Sequence, residues 1–138
     1  MMHACWLAFA ITVLGCSKAQ DDQTYYAINV EKNQTKGDGS TEVVLRFLGR
    51  KGYHWNSEFR AFARVVSKEG VVLEKEEFSK KDGDFVDSGE EGRLQFVAKP
   101  DGSSSKPKVT LKARFSVCTK KECRVFEDVP VEVSLDAR

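Results

Sequence analysis

From residue 24 onward, hydrophobic side chains recur at every second position. The clearest run is Val109 to Cys118. Val109, Leu111, Ala113, Phe115 and Val117 fall on one side, and Thr110, Lys112, Arg114, Ser116 and Cys118 on the other. A period of two marks a β-strand with one face buried. Thr41 to Leu48 repeats it, with Thr41, Val43, Leu45 and Phe47 opposed to Glu42 and Arg46. Gly92 to Lys99 places Leu94, Phe96 and Ala98 on one face. The same reading predicts strands over 24–31, 59–67, 71–78, 123–127 and 129–135, with a short one at 84–87. Only Lys68-Glu69-Gly70 separates 59–67 from 71–78, so these two are expected to form a hairpin. No helical period follows residue 24, and turn-forming clusters such as Asn33–Ser40 and Pro100–Lys108 punctuate the strands. The pattern predicts an all-β chain, an immunoglobulin-like antiparallel β-sandwich of about seven to nine strands over 24–138. A small barrel is the alternative.

The alternation changes phase near the end. Phe126 is an even-numbered core candidate, whereas Val129, Val131, Val133 and Leu135 are odd. A kink at Asp128 to Pro130 reconciles them, and a switch between sheets is one form it could take. Pro130 cannot donate to a ladder, which fits an interruption there.

Cys118 and Cys123 bracket four polar residues between two predicted strands. Placing one opposite the other aligns Phe115 with Phe126 on the apolar face and Arg114 with Glu127 on the polar face. Each such cross-strand pair contributes roughly 0.2–1 kcal/mol, and two independent pairings support one register. Residues directly opposed on antiparallel strands lie within reach of a disulfide. Parity puts Cys118 on the polar face, so the sulfurs are expected to be at least partly reachable. Closing so short a loop restricts the unfolded chain by only about 2 kcal/mol. Lys120 and Lys121 favour a thiolate beside them and Glu122 opposes it. Spacing alone leaves two roles open, a structural staple and an exchangeable pair.

Composition narrows the functional classes. Lys and Arg number 22 against 21 Asp and Glu, a formal net charge of +1, so no overall field favours nucleic acid. There is no phosphate-binding glycine loop, and nothing implies a cofactor. With the first residues removed, His54 is the single histidine, and no other ligands are spaced with it for a metal. Tyr53 and Trp55 flank it in a loop unusually rich in large side chains. Tyr53, His54 and Trp55 are read as a core plug or a lid over the hairpin, with a partner-binding surface as the alternative.

Residues 4–14 form an apolar run of signal-peptide length, too short to span a bilayer. It ends in Val13-Leu14-Gly15-Cys16, which resembles the bacterial lipobox. The resemblance implies a signal peptide at 1–15, a lipidated Cys16, and a short tether over 16–23. Ser17, the residue after the cysteine, resembles an outer-membrane address, which implies a protein on the periplasmic face of the outer membrane, held through its lipid anchor. The alternatives are a plain secretory signal cut nearby and a buried N-terminal helix. On the lipoprotein reading Cys5 leaves with the signal and Cys16 carries lipid, so Cys118 and Cys123 remain as an even pair in an oxidising compartment.

Phe115-Ser-Val-Cys118-Thr-Lys-Lys-Glu-Cys123, followed by an acidic residue and a Val-Pro-Val strand, resembles the N-terminal periplasmic domain of the membrane thiol:disulfide interchange protein DsbD and its free-standing bacterial relatives. Gly52-Tyr53-His54-Trp55-Asn56 is similar to a Gly-Tyr-His-x-Asn stretch of those relatives. The resemblance implies an immunoglobulin-like domain whose reversible disulfide, here Cys118 and Cys123, exchanges with periplasmic or membrane thiol-redox proteins. It also implies a loop that shields the pair, for which 52–59 and 79–91 are both candidates. The chain carries four residues between the cysteines, fewer than the interchange protein, and no transmembrane electron-transfer segment or thioredoxin-like domain. The alternative function is a non-enzymatic lipoprotein with a structural disulfide that acts as a protein-binding module.

Overall fold

The computed structural model describes residues 24–34 and 37–135. The expected signal segment 1–15 and tether 16–23, with Cys16, lie outside the described residues. Ten strands and no helix occur among the described residues, in two five-stranded antiparallel sheets.

The first sheet has the order β1 (Tyr26–Gln34), β2 (Thr41–Gly49), β8 (Glu91–Pro100) and β5 (Val71–Leu73), with β7 (Phe85–Ser88) also on β8. The second has the order β10 (Cys123–Ser134), β9 (Lys108–Cys118), β4 (Phe62–Glu69) and β6 (Glu77–Ser79), with β3 (His54–Trp55) also on β9. Taking β1, β2, β8 and β7 as strands A, B, E and D, and β10, β9, β4 and β6 as G, F, C and C′, gives the immunoglobulin-type order. The expected sandwich is therefore present, with more strands than the alternation counted.

The alternating positions form the core between the sheets. Val43, Leu45 and Phe47 of β2 meet Leu111, Phe115 and Val117 of β9, all fully buried. Phe115 is the hub of an aromatic cluster, with ring centroids of Tyr26 and Phe47 at 5.0 Å, Phe126 at 5.6 Å and Trp55 at 6.2 Å. Each well-placed aromatic pair adds about 0.5–1.5 kcal/mol beyond its buried area. This cluster underlies the cysteine hairpin.

Two expectations are corrected. The 59–67 and 71–78 segments do not form one hairpin. After β4 the chain turns at Gly70, φ 63°, and enters the opposite sheet, where Val71 pairs with Pro100 and Leu73 with Ala98. It then returns, and Phe78 of β6 pairs with Ala63. Val71 and Phe78 are both buried but differ in parity, so one strand could not bury both. The exposed run Glu74–Glu77 carries the crossing. The second correction concerns residues 128–130, where β10 stays in its sheet. Phe126 pairs with Phe115 and Val129 with Ala113, so Glu127 and Asp128 together oppose Arg114. Asp128 has φ 52°. This bulge, not a change of sheet, shifts the phase. Pro130 lies on an edge strand, where its missing N–H costs no ladder bond.

Candidate redox site at the cysteine hairpin

The hairpin adopts the expected register: Cys118 opposes Cys123, Val117 opposes Arg124, Ser116 opposes Val125 and Phe115 opposes Phe126. Cys118 and Cys123 are joined by a disulfide with Cα atoms 4.0 Å apart. Arg114 Nε lies 3.0 Å from Glu127 Oε1, the expected pair on the polar face. The tip closes on itself. Thr119 N–H donates to Glu122 O at 2.8 Å, and Thr119 Oγ1 accepts from the N–H groups of Lys121 and Glu122 at 3.2 Å.

The two sulfur-bearing residues are unequal. Cys123 is exposed, whereas Cys118 is only 8% exposed. Parity does put Cys118 on the outer face, but that face is not open here. β10 flanks β9 on one side and β3 on the other, with His54 opposite Cys118 and Trp55 opposite Val117. The segment after β3 then closes over Ser116, leaving it 1% exposed. The expectation that both sulfurs are reachable therefore holds for Cys123 and is corrected for Cys118. A two-residue strand has no periodicity to reveal it in advance.

Asn56 leads that segment. Its N–H donates to Ser116 O at 2.9 Å, and its Oδ1 accepts from Glu58 N–H at 3.1 Å. This turn fixes the amide, because with Oδ1 engaged, Nδ2 must face the strand. There it lies 3.4 Å from Ser116 Oγ and 4.0 Å from Cys123 Sγ. A side-chain N–H donor is thus aimed at the sulfur of the exposed Cys123. Of the two candidate shielding loops, 52–59 lies at the cysteines. The 79–91 segment instead reaches β3 from below, where Asp87 Oδ1 accepts from Trp55 Nε1 at 2.6 Å and Asp87 Oδ2 lies 3.1 Å from Lys80 Nζ.

Tyr53, His54 and Trp55 are placed differently from one another. Trp55 is buried, stacked against Phe85 and Phe115 with centroids 6.1 and 6.2 Å away. Gly92 makes its room, since a Cβ there would overlap the Trp55 indole. His54 is exposed and, as the register partner of Cys118, shares its outer face. Tyr53 braces the tip: its hydroxyl donates to Glu122 Oε1 at 2.7 Å and accepts from Arg124 Nε at 3.1 Å. The Arg124 guanidinium lies 4.0 Å from the Tyr25 ring centroid and 3.6 Å from Glu122 Oε2. Its pKa is raised further, chiefly by the hydrogen bond to Tyr53.

Tyr25 and Arg124 are the parts of this site to which sequence reasoning gave no role, and Asn56 entered it only as a member of the Gly52–Asn56 motif. One signal was available for Arg124. In the register it opposes Val117, so a charged residue lies on the apolar side and requires partners there. Among the described residues no group of three His, Cys, Asp or Glu side chains converges to hold a metal. No protein-family model, curated protein or solved structure matches the chain.

Proposed function

We propose that this protein takes part in thiol:disulfide exchange through Cys118 and Cys123, as its resemblance to the DsbD N-terminal domain implies. The observation that carries the reading is the asymmetry of the pair: an exposed Cys123 with the Asn56 amide facing its sulfur, joined to a buried Cys118. Exchange needs one sulfur open to attack and a second held beside it. An incoming thiolate attacks Cys123 Sγ, the Cys118–Cys123 bond breaks, and its electron pair leaves on Cys118 Sγ. The donor's second thiolate then attacks the donor sulfur of the mixed disulfide and releases Cys123. The donor ends as a disulfide and this protein, after taking up two protons, as a dithiol. In the opposite direction the Cys123 thiolate attacks a partner disulfide and Cys118 resolves it. The Asn56 N–H supports negative charge on Cys123 in both directions.

The partners on this reading are periplasmic or membrane thiol-redox proteins. Lipidation at Cys16 and attachment to the outer membrane belong to the same proposal, supported by the apolar run and the Leu14-Gly15-Cys16 ending. Mass spectrometry of the mature N-terminus tests it: a diacylated Cys16 is expected, and an unmodified terminus elsewhere refutes it. The roles of the cysteines are tested by single variants. With Cys118→Ser, the remaining Cys123 should react with a chromogenic disulfide reagent at least about tenfold faster than Cys118 does in Cys123→Ser. Equal rates would remove the basis of the proposal. A second reading, a structural disulfide on a protein-binding module, draws on the clamp of Tyr53 and Arg124 on Glu122, which fixes the tip whether or not it exchanges.

A further inference from the structure

We infer that the hairpin tip selects partners whose reacting thiol lies on an acidic surface. The inference rests on the exchange reading and deepens it. In the sequence, Lys120-Lys121-Glu122 looks like two positive charges partly cancelled by one negative. In the fold the cancellation is absent, because Glu122 is already engaged. It accepts from the Tyr53 hydroxyl at 2.7 Å and pairs with Arg124 at 3.6 Å. Arg124 is in turn held by the Tyr25 ring at 4.0 Å and by Tyr53 at 3.1 Å. The pair is neutral and tied to the body of the domain.

Lys120 and Lys121 are exposed, and neither forms an ion pair with a described residue. On the segment facing Cys123, the exposed Glu58 and Arg60 have opposite signs. The tip that carries the exposed Cys123 therefore also carries two positive charges that no described carboxylate pairs. On the face of Cys123 lies Val125, which is 49% exposed and opposes Ser116. A reachable sulfur, a small apolar neighbour and a cationic margin form a docking face for an anionic thiol-bearing partner. Complementary charge acts mainly on the encounter rate and on partner choice.

Small thiols test this without knowledge of the natural partner. The full chain, disulfide intact, is reduced with 2-mercaptoethanesulfonate, 2-mercaptoethanol or cysteamine, which carry negative, zero and positive charge. Rates are taken per thiolate and divided by those for an uncharged linear disulfide, which removes differences in intrinsic nucleophilicity. At low ionic strength the sulfonate-bearing thiolate should exceed the ammonium-bearing one by roughly fivefold, and the ratio should fall below about twofold at high salt. Lys120→Gln with Lys121→Gln should bring the ratio near one while leaving the melting temperature unchanged. Equal rates, a reversed order, or a ratio that survives the double substitution would overturn the inference and leave the exchange reading standing. Failure of all three thiols to reduce the folded chain would overturn the exchange reading, and this inference with it. Sedimentation of the chain with phosphatidylglycerol vesicles, lost in the double variant, together with equal thiol rates, would reassign the lysines to a membrane surface and overturn the inference.

Discussion

Asn56 is the residue on which the chemistry of the tip turns. Its Oδ1 orders the turn through Glu58 N–H, and its Nδ2 faces Ser116 and Cys123. Asn56→Asp separates these two jobs. The carboxylate still accepts from Glu58, but it cannot donate to sulfur and brings a negative charge toward it. The reduced Asn56→Asp protein should therefore keep its melting temperature. Its Cys123 should alkylate about tenfold more slowly at neutral pH, because each pKa unit of thiolate destabilisation costs tenfold in thiolate population. Alkylation against pH measures this directly, and an unchanged profile would reduce Asn56 to a loop-ordering residue. Trp55 illustrates a different lesson. It stands in a loop by sequence, yet it fills the space above Gly92. A glycine 37 residues away, on another strand, creates that space, and no local pattern reveals it. Gly92→Ala should consequently destabilise the fold by about 1–3 kcal/mol, as overpacking does, measured by denaturant unfolding.

At the scale of elements, the outer face of the first sheet carries a charge network of its own. Arg46 of β2 lies 3.1 Å from Glu31 of β1 and 2.8 Å from Glu91 of β8, and Arg93 lies 2.9 Å from Glu91. The Arg46 hydrogen bond, more than any other interaction, holds the Glu91 carboxyl below its ordinary range. The folded state therefore binds this proton less readily than the unfolded chain does. Its contribution is present above the unfolded pKa and is lost as pH falls through the folded one. Acid unfolding of the Arg46→Ala variant should show a smaller loss of stability across that window than the parent.

The β9–β10 hairpin was legible in the sequence because an aromatic pair and a charge pair independently required the same alignment. The division of 71–78 between two sheets was not, because the charged run from Glu74 to Glu77 conceals where the chain crosses. The differing parity of Val71 and Phe78 was its one trace. The burial of Cys118 was hidden for a related reason. It depends on β3, two residues long, and on a turn set by Asn56, neither of which has a period. The Cys118→Ala, Cys123→Ala double variant probes the hairpin as an element. With the Phe115 cluster and the Tyr53 clamp intact, it should fold and lose only about 2 kcal/mol. A collapse of the melting temperature would favour the staple.

Across the whole molecule, the described chain begins at the end that carries the tip, since Tyr25 stacks on the Arg124 guanidinium. If Cys16 is lipidated as proposed, the residues 17–23 span at most about 25 Å when fully extended. On that proposal the domain stays close to the bilayer, and the tip lies within reach of a membrane-embedded donor. That reach, the asymmetric cysteines and the cationic margin are parts of one account. Its central claim is that the disulfide is exchangeable. The reduction potential of the Cys118–Cys123 couple, measured by equilibration with a defined dithiol buffer, tests it most directly. The account predicts a value above about −300 mV, in the range of working redox couples, and a value below that mark would identify a structural bond and contradict it.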